Sequence, residues 1–170
     1  MKESNEILEV AVEASLAASN IIMEAVHNPQ ISNFKKSRSD LVTATDLESE
    51  RIIKLFINKN FPKHSILAEE SDIKDNSSDY LWVIDPLDGT TNFVHGYPSF
   101  SVSIGVYYKN QPIAAVVLGM PHFKLYTATI NGGAWCEGKK IKSSKTNNLK
   151  DSLLVTGFGY QHGDLWEKNM

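Results

Sequence analysis

The chain reads as an α+β protein, with two helices packed on a largely antiparallel sheet. Three observations predict this. Apolar side chains recur at three- and four-residue intervals near the N-terminus, the spacing of one helix face. A second block of the same kind follows and ends near residue 60. From residue 65 to residue 130 the pattern changes to short apolar runs parted by Asn, Gly and Pro, and strands joined by short turns pair antiparallel.

In order, Ile7, Val10, Ala11, Ala14, Ala17, Ala18, Ile21 and Ala25 mark one long amphipathic helix, which Asn28-Pro29 ends. Leu41 to Thr43 suit a strand. Thr45, followed three residues later by Glu48, predicts a capping box, so a second helix begins near Asp46. Glu50, Ile52, Ile53, Leu55 and Phe56 continue it to Asn60, where Phe61-Pro62 closes it. Strands are expected at about 65–69, 80–85, 99–109, 113–120 and 124–130. Asn110-Gln111-Pro112 and Asn131-Gly132-Gly133 read as turns, and Met120-Pro121-His122 parts the last two strands. Residues 72–79, rich in Ser, Asp and Asn, read as a flexible excursion that is either a plain loop or a lid. No internal repeat and no linker divides the chain.

The chemistry concentrates where two apolar runs end in acids. Ile66-Leu67-Ala68 leads into Glu69-Glu70-Ser71, and Trp82-Val83-Ile84 leads into Asp85-Pro86-Leu87-Asp88. Pro86 lacks a backbone donor, so the ladder is expected to stop at Asp85 and the chain to turn. That turn can aim the Asp85 and Asp88 carboxylates and the Leu87 carbonyl at one spot, with Glu69 completing it. Carboxylates that close repel unless neutralised, and oxygen-only ligands select Mg²⁺, Mn²⁺ or Ca²⁺ over zinc. Magnesium is the default where phosphate is also bound. Gly89 lets the backbone approach closely, and a short helix opened by Gly89-Thr90-Thr91-Asn92 would turn N–H groups and two hydroxyls toward an anion. Asp46 has two readings at this level: a favourable charge in a first helical turn, or a group orienting a hydroxyl or water.

These motifs carry a family resemblance. Asp40-Leu-Val-Thr-Ala-Thr-Asp46, Ala68-Glu-Glu-Ser71 and Trp82-Val-Ile-Asp-Pro-Leu-Asp-Gly-Thr-Thr-Asn-Phe-Val-His95 resemble the inositol monophosphatases, magnesium-dependent and lithium-sensitive sugar phosphatases. Val102-Ser-Ile-Gly105 and Val155-Thr-Gly-Phe-Gly159 extend the likeness over nearly the whole chain. The resemblance implies that Glu69, Asp85 and the Leu87 carbonyl hold a first Mg²⁺ and that Asp85 and Asp88 hold a second. It implies further that Asp88 lies near the substrate hydroxyls while Gly89, Thr90 and Thr91 contact phosphate. Thr90, hydrogen-bonded to Asp46, would help orient the attacking water, and Glu70 would stand behind the metal ligands. The implied reaction is hydrolysis of a small phosphorylated polyol by in-line attack of metal-activated water, with no covalent phosphoenzyme.

The resemblance also implies a layered αβαβα fold, of which residues 1–170 would be the N-terminal domain. The family's later Trp-Asp-x-Ala-Ala-Gly motif does not occur in this sequence, and Asp164-Leu-Trp-Glu167 looks like a helix start. The expectation is therefore a fragment that is nearly inactive alone and homodimeric when complete. Val94-His95-Gly96-Tyr97 looks more like the inositol phosphatases than relatives acting on histidinol phosphate, fructose bisphosphate or adenosine bisphosphate. A non-catalytic regulatory binding protein on the same scaffold is the rival of another class.

Composition narrows the setting. Seventeen basic and twenty acidic residues give a net charge of −3, which argues against a nucleic-acid-binding face, and Lys35-Lys36-Ser37-Arg38 is too short a run to reverse it. Lys36 is either part of a solvated loop or an attractor of phosphate. One cysteine, Cys136, excludes an internal disulfide and fits a reducing, cytoplasmic setting. The polar N-terminus does not read as a signal peptide, and no run approaches membrane-spanning length. His95, His122 and His162 show no metal-ligand spacing and read as structural or surface residues.

Overall fold

The first helix follows its periodicity closely. A computed structural model describes residues 2–27, 29, 31–34, 41–74 and 78–155. In it α1 (Lys2–Ala25) buries Ile7, Ala11, Ala14, Ala18 and Ile22 completely, so the stripe runs through Ile22, while Ile21 is half-buried. Ser15 and Ser19 are also fully buried, and each satisfies its hydroxyl on a carbonyl three residues back, at 2.8 Å. The small residues on this face let α1 sit close to its neighbours. Two short strands, β1 (Ile31–Phe34) and β2 (Leu41–Thr43), pair antiparallel before the second helix, and β1 was not legible in the sequence.

Helix α2 (Ala44–Asn60) begins two residues before the expected point. Thr43, still extended at φ −105° and ψ 165°, is the N-cap, and its capping box is closed by Asp46, not by a Thr45–Glu48 pair. The Thr43 N–H donates to Asp46 Oδ2 at 2.9 Å, and the Asp46 N–H returns to the Thr43 hydroxyl at 3.4 Å. Thr45 is buried inside the first turn, and Glu48 forks with Arg51 on the surface at 2.7 and 2.8 Å. Ile53 and Ile57 form the fully buried face of α2.

The sheet has eight strands in the order β10-β9-β8-β7-β6-β5-β3-β4, defined by β3 (Ser65–Ala68), β4 (Ser71–Lys74), β5 (Tyr80–Asp88), β6 (Phe100–Tyr108), β7 (Gln111–Met120), β8 (Lys124–Thr129), β9 (Gly133–Cys136) and β10 (Lys139–Ile141). Every pairing is antiparallel except β3 with β5, which run parallel with Ala68 beside Ile84. Alternate residues of the central strands, among them Trp82, Ile84, Val102, Ile104, Val106 and Val116, point to one face and bury there with α1 and α2. Each such side chain contributes about 1.5–3 kcal/mol by leaving water. Trp82 is fully buried, and its indole N–H donates to His64 Nδ1 at 3.0 Å. The His64 ring is stacked between Phe61 and Tyr80 at 4.7 and 4.3 Å, which locks the ends of α2, β3 and β5 together.

Several expectations change. The ladder of β5 does not stop at Asp85 but continues to Asp88 through a bulge, because Asp85 pairs with Ser103 and Asp88 with Ser101. Pro86 sits inside that irregularity, where no ladder donor is required. The hairpin between β6 and β7 turns on Lys109 and Asn110, both at positive φ (48° and 63°), and Pro112 lies in β7 at a register shift opposite Tyr107. Asp72 to Lys74, read as part of a loop, belong to the edge strand β4, and β9 and β10 extend the far edge beyond the expected strands. A short helix, α3 (Thr90–Val94), follows β5 as expected. Asp40, the run from Lys35 to Arg38, residues 75–77, the Gly157-Phe-Gly159 stretch, His162 and the helix start at Asp164 lie outside the described residues.

Candidate active site

The parallel pairing of β3 and β5 makes the site. Both strands run toward the same edge, and the residues that follow the Ala68–Ile84 pair are Glu69, just past the end of β3, and Asp85, at the start of the β5 bulge, so the two acids emerge side by side. The Glu69 N–H donates to the Ile84 carbonyl at 3.2 Å, which carries the ladder one step past the end of β3. The Glu69 side chain is exposed and Asp85 is half-buried. Burial, the neighbouring Glu69 charge, a hydrogen bond shared with Glu69 and, more weakly, the charge of Asp88 push the Asp85 carboxyl up to about 8, while the Leu87 backbone N–H pulls the other way. Asp85 therefore keeps its proton, in a hydrogen bond with Glu69, when nothing else neutralises the pair.

Asp88 stands after the bulge, exposed, and accepts a 3.3 Å contact from the Ser101 hydroxyl. The Leu87 carbonyl faces the Thr90 hydroxyl at 3.0 Å. Among the described residues no three carboxylate, imidazole or thiolate side chains converge tightly enough to cage a cation as they stand. The donor set nevertheless fits a hard cation: it is all oxygen, and Asp85 Oδ1 is buried with no hydrogen-bond donor against it.

Asp46 meets the site from the other side. It is buried and takes the Thr43 N–H, the Thr43 hydroxyl and, at 2.8 Å, the Thr90 hydroxyl. Burial pushes its carboxyl up from the ordinary value and the hydrogen bonds from Thr43 and Thr90 push it down, burial being the larger. The single Thr90 proton can serve Asp46 or the Leu87 carbonyl but not both, and the ionised acceptor is the stronger. The Thr90 oxygen keeps lone pairs able to accept from a donor. Of the two readings of Asp46, a helix-end charge and an orienting group, the geometry supports both at once.

Gly89 is the hinge between strand and helix. It caps α3 at φ 87° and ψ 35°, and a Cβ there would lie 3.0 Å from the Ser99 carbonyl and 3.3 Å from Phe100 Cα. A left-handed backbone and backbone neighbours that cannot swing away both demand glycine. Gly89→Ala is expected to cost about 1–2 kcal/mol, and more if the strand of Phe100 must shift. Thermal or urea unfolding reads this directly, and an unchanged midpoint would contradict it. Beside Asp88 and Gly89 opens a cleft of about 440 Å³, walled also by Ser99, Ser101, His122, Lys124 and Tyr126.

The sequence reading missed Glu50, Ser71, Thr43 and Ser101. Glu50 is buried on α2 and accepts the Glu70 N–H at 2.9 Å and the Ser71 hydroxyl at 2.6 Å. A signal was present: Glu50 lies four residues after Asp46 and so on the same helix face. Among the described residues no helix is long and apolar enough to cross a membrane.

The sequence profile of the Inositol monophosphatase family matches residues 3–170. The chain is 51% identical to a protein named Phosphatase IMPL1, chloroplastic, from Arabidopsis thaliana, over 96% of this chain and 46% of that one. It superposes on the solved inositol monophosphatase of Anabaena (Nostoc) sp. PCC 7120 with a TM-score of 0.80 and 40% identity, over 92% of this chain and 56% of that one. A solved IMPase/NADP phosphatase complexed with Mg²⁺ and phosphate is similar too, with a TM-score of 0.73 and 30% identity over 81% and 53% of the two chains. This chain thus spans about half the length of the relatives it matches. With the profile match over nearly every residue and a shared α+β fold, the chain belongs to the inositol monophosphatase family.

Proposed function

We propose that the protein is a magnesium-dependent phosphomonoesterase acting on inositol monophosphate, and that residues 1–170 form its N-terminal domain. The observation that carries this reading is the convergence of Glu69 and Asp85 just past the Ala68–Ile84 pair of two parallel strands, together with a Thr90 hydroxyl already committed to Asp46. Glu69, Asp85 and the Leu87 carbonyl would hold one Mg²⁺, and Asp85 with Asp88 would share a second. When bound, the cations supply charge neutralisation and an acidified water.

The chain's own groups do the remaining work. Thr90, its proton engaged by Asp46, accepts a hydrogen bond from the attacking water and so fixes its direction. The N–H groups and hydroxyls at Gly89, Thr90 and Thr91 hold phosphate oxygens in place with little reorganisation. Asp88, on the cleft side, accepts hydrogen bonds from substrate hydroxyls. A purely binding role gives no reason for Glu69, Asp85, Asp88 and Thr90 to stand together. Lithium inhibition, a homodimer, a further metal ligand from Trp-Asp-x-Ala-Ala-Gly and a cytoplasmic location belong to the same proposal. The Arabidopsis relative's name places that protein in the chloroplast.

The full-length protein is expected to release phosphate from inositol 1-phosphate only with Mg²⁺ present, and faster than from histidinol phosphate, fructose bisphosphate or adenosine bisphosphate. The 170-residue chain alone should be far slower. Metal-free turnover would overturn the catalytic reading, and preference for another of the four substrates would overturn the substrate.

A further inference from the structure

Helix α2 touches the site twice. Asp46 in its first turn holds the Thr90 hydroxyl, and Glu50, one turn later on the same face, holds the turn that bears Glu69. Glu50 is 6% exposed, and its carboxylate accepts three hydrogen bonds: the Glu70 N–H at 2.9 Å, the Ser71 hydroxyl at 2.6 Å and the Lys54 ammonium at 2.7 Å. Lys54 also meets the Ser71 hydroxyl. On its other side the same turn is fixed by the Glu69 N–H on the Ile84 carbonyl. Glu69 therefore sits between two backbone anchors, one on β5 and one on α2.

A buried ion pair is a poor source of stability. Desolvation offsets much of the attraction between Glu50 and Lys54, and well-packed apolar side chains would serve the core as well. An apolar side chain cannot hold the Glu70 N–H and the Ser71 hydroxyl. Without that hold, the segment joining β3 to β4 keeps its ladder partners but loses the contact that sets how far Glu69 stands from Asp85.

We propose that Glu50 is a positioning residue for the metal site: it holds the Glu69-Glu70-Ser71 turn so that Glu69 meets Asp85 at the spacing a divalent cation requires. The proposal rests on the reading of Glu69 and Asp85 as metal ligands. Groups that orient ligands from behind typically change metal affinity by about 10–100-fold. Glu50→Gln keeps the size of the side chain but replaces one acceptor oxygen with a donor, facing Lys54 and Ser71. Glu50→Asp keeps the charge with a shorter reach.

The test is Mn²⁺ binding to the full-length protein, followed by the electron paramagnetic resonance of the free ion, with Mg²⁺-dependent phosphate release measured alongside. Glu50→Gln is expected to weaken Mn²⁺ binding roughly tenfold or more and to raise the Mg²⁺ concentration for half-maximal rate by a like factor, with kcat recovering at saturating Mg²⁺. Glu50→Asp should fall between Glu50→Gln and the parent, and Glu48→Gln, on the exposed side of the same helix, should change nothing. Added to Glu69→Gln, Glu50→Gln should cost little further affinity, because it acts through that ligand. Unchanged Mn²⁺ affinity in Glu50→Gln, or losses that add in full in the double variant, would overturn the proposal. If Glu50→Gln has no effect while Glu69→Gln abolishes binding, the positioning role alone fails. If Glu69→Gln binds Mn²⁺ as the parent does, the ligand assignment fails and the positioning role with it.

Discussion

Asp85→Asn is expected to lower magnesium-dependent phosphate release by on the order of a thousandfold in the full-length protein, the scale of losing a preorganised charge at the reacting centre. Asp85 is the one side chain proposed to touch both cations, so no neighbour replaces it. The same change should do the opposite to the metal-free protein. The folded Asp85 carboxyl titrates at about 8 against an ordinary 3.8, so between those values the folded chain keeps a proton that the unfolded chain has released. Stability from this group is therefore complete below about pH 4 and is lost as pH rises through about 8. Asn does not titrate. In chelator-treated buffer the variant should gain on the parent in urea midpoint as pH is raised across that window, and magnesium should reverse the order by binding the parent alone. A parent–variant difference that stays flat with pH, or survives magnesium unchanged, would contradict a protonated Asp85 in the metal-free fold.

Asp46→Ala is expected to be the most destabilising single change at the site. Its carboxylate is the shared acceptor for the Thr43 N–H, the Thr43 hydroxyl and the Thr90 hydroxyl, in a buried setting. Deleting it breaks a capping box, worth about 1 kcal/mol, and strands a buried donor at a further 1–3 kcal/mol. A loss of about 3 kcal/mol in chemical denaturation follows, together with a fall in kcat on the order of a hundredfold as Thr90 turns its proton to the Leu87 carbonyl. Asp46→Asn keeps an acceptor and should recover most of the stability but little of the rate, since a neutral amide competes poorly for the Thr90 proton. Equal recovery of both would mean that Asp46 serves the helix end alone.

The acids Glu69 and Asp85 were legible because short continuous apolar runs stop abruptly at them, and a run that stops in charge marks an edge. Gly89 was legible because a tight turn after paired acids leaves few other residues possible. The capping box was misassigned for an identifiable reason. Thr43 and Thr45 are each followed three residues later by an acid, Asp46 and Glu48, so the sequence carries the same signal twice. Burial chooses between them: the Thr43 pair is covered by the chain around Thr90, whereas Glu48 faces water and takes Arg51. The bulge at Pro86 escaped notice because proline argues against a ladder in general but not at an irregularity. Glu50 passed as one more polar helix residue, since nothing local says which chain segment will cross its face.

Helix periodicity, the alternation of the strands and the two acidic strand ends are properties of neighbouring residues, so the sequence by itself determined the α+β class and nominated Glu69, Asp85, Asp88, Gly89 and Thr90. Which groups face one another depends on contacts between residues far apart in the chain. Only the tertiary structure decided that β3 and β5 run parallel and set Glu69 against Asp85, that Asp46 reaches Thr90 across 44 positions, and that Glu50 reaches the Glu70 N–H across 20. Burial then gives those contacts their effect, because it is the loss of water that raises Asp85 and makes each remaining donor on Asp46 and Glu50 count.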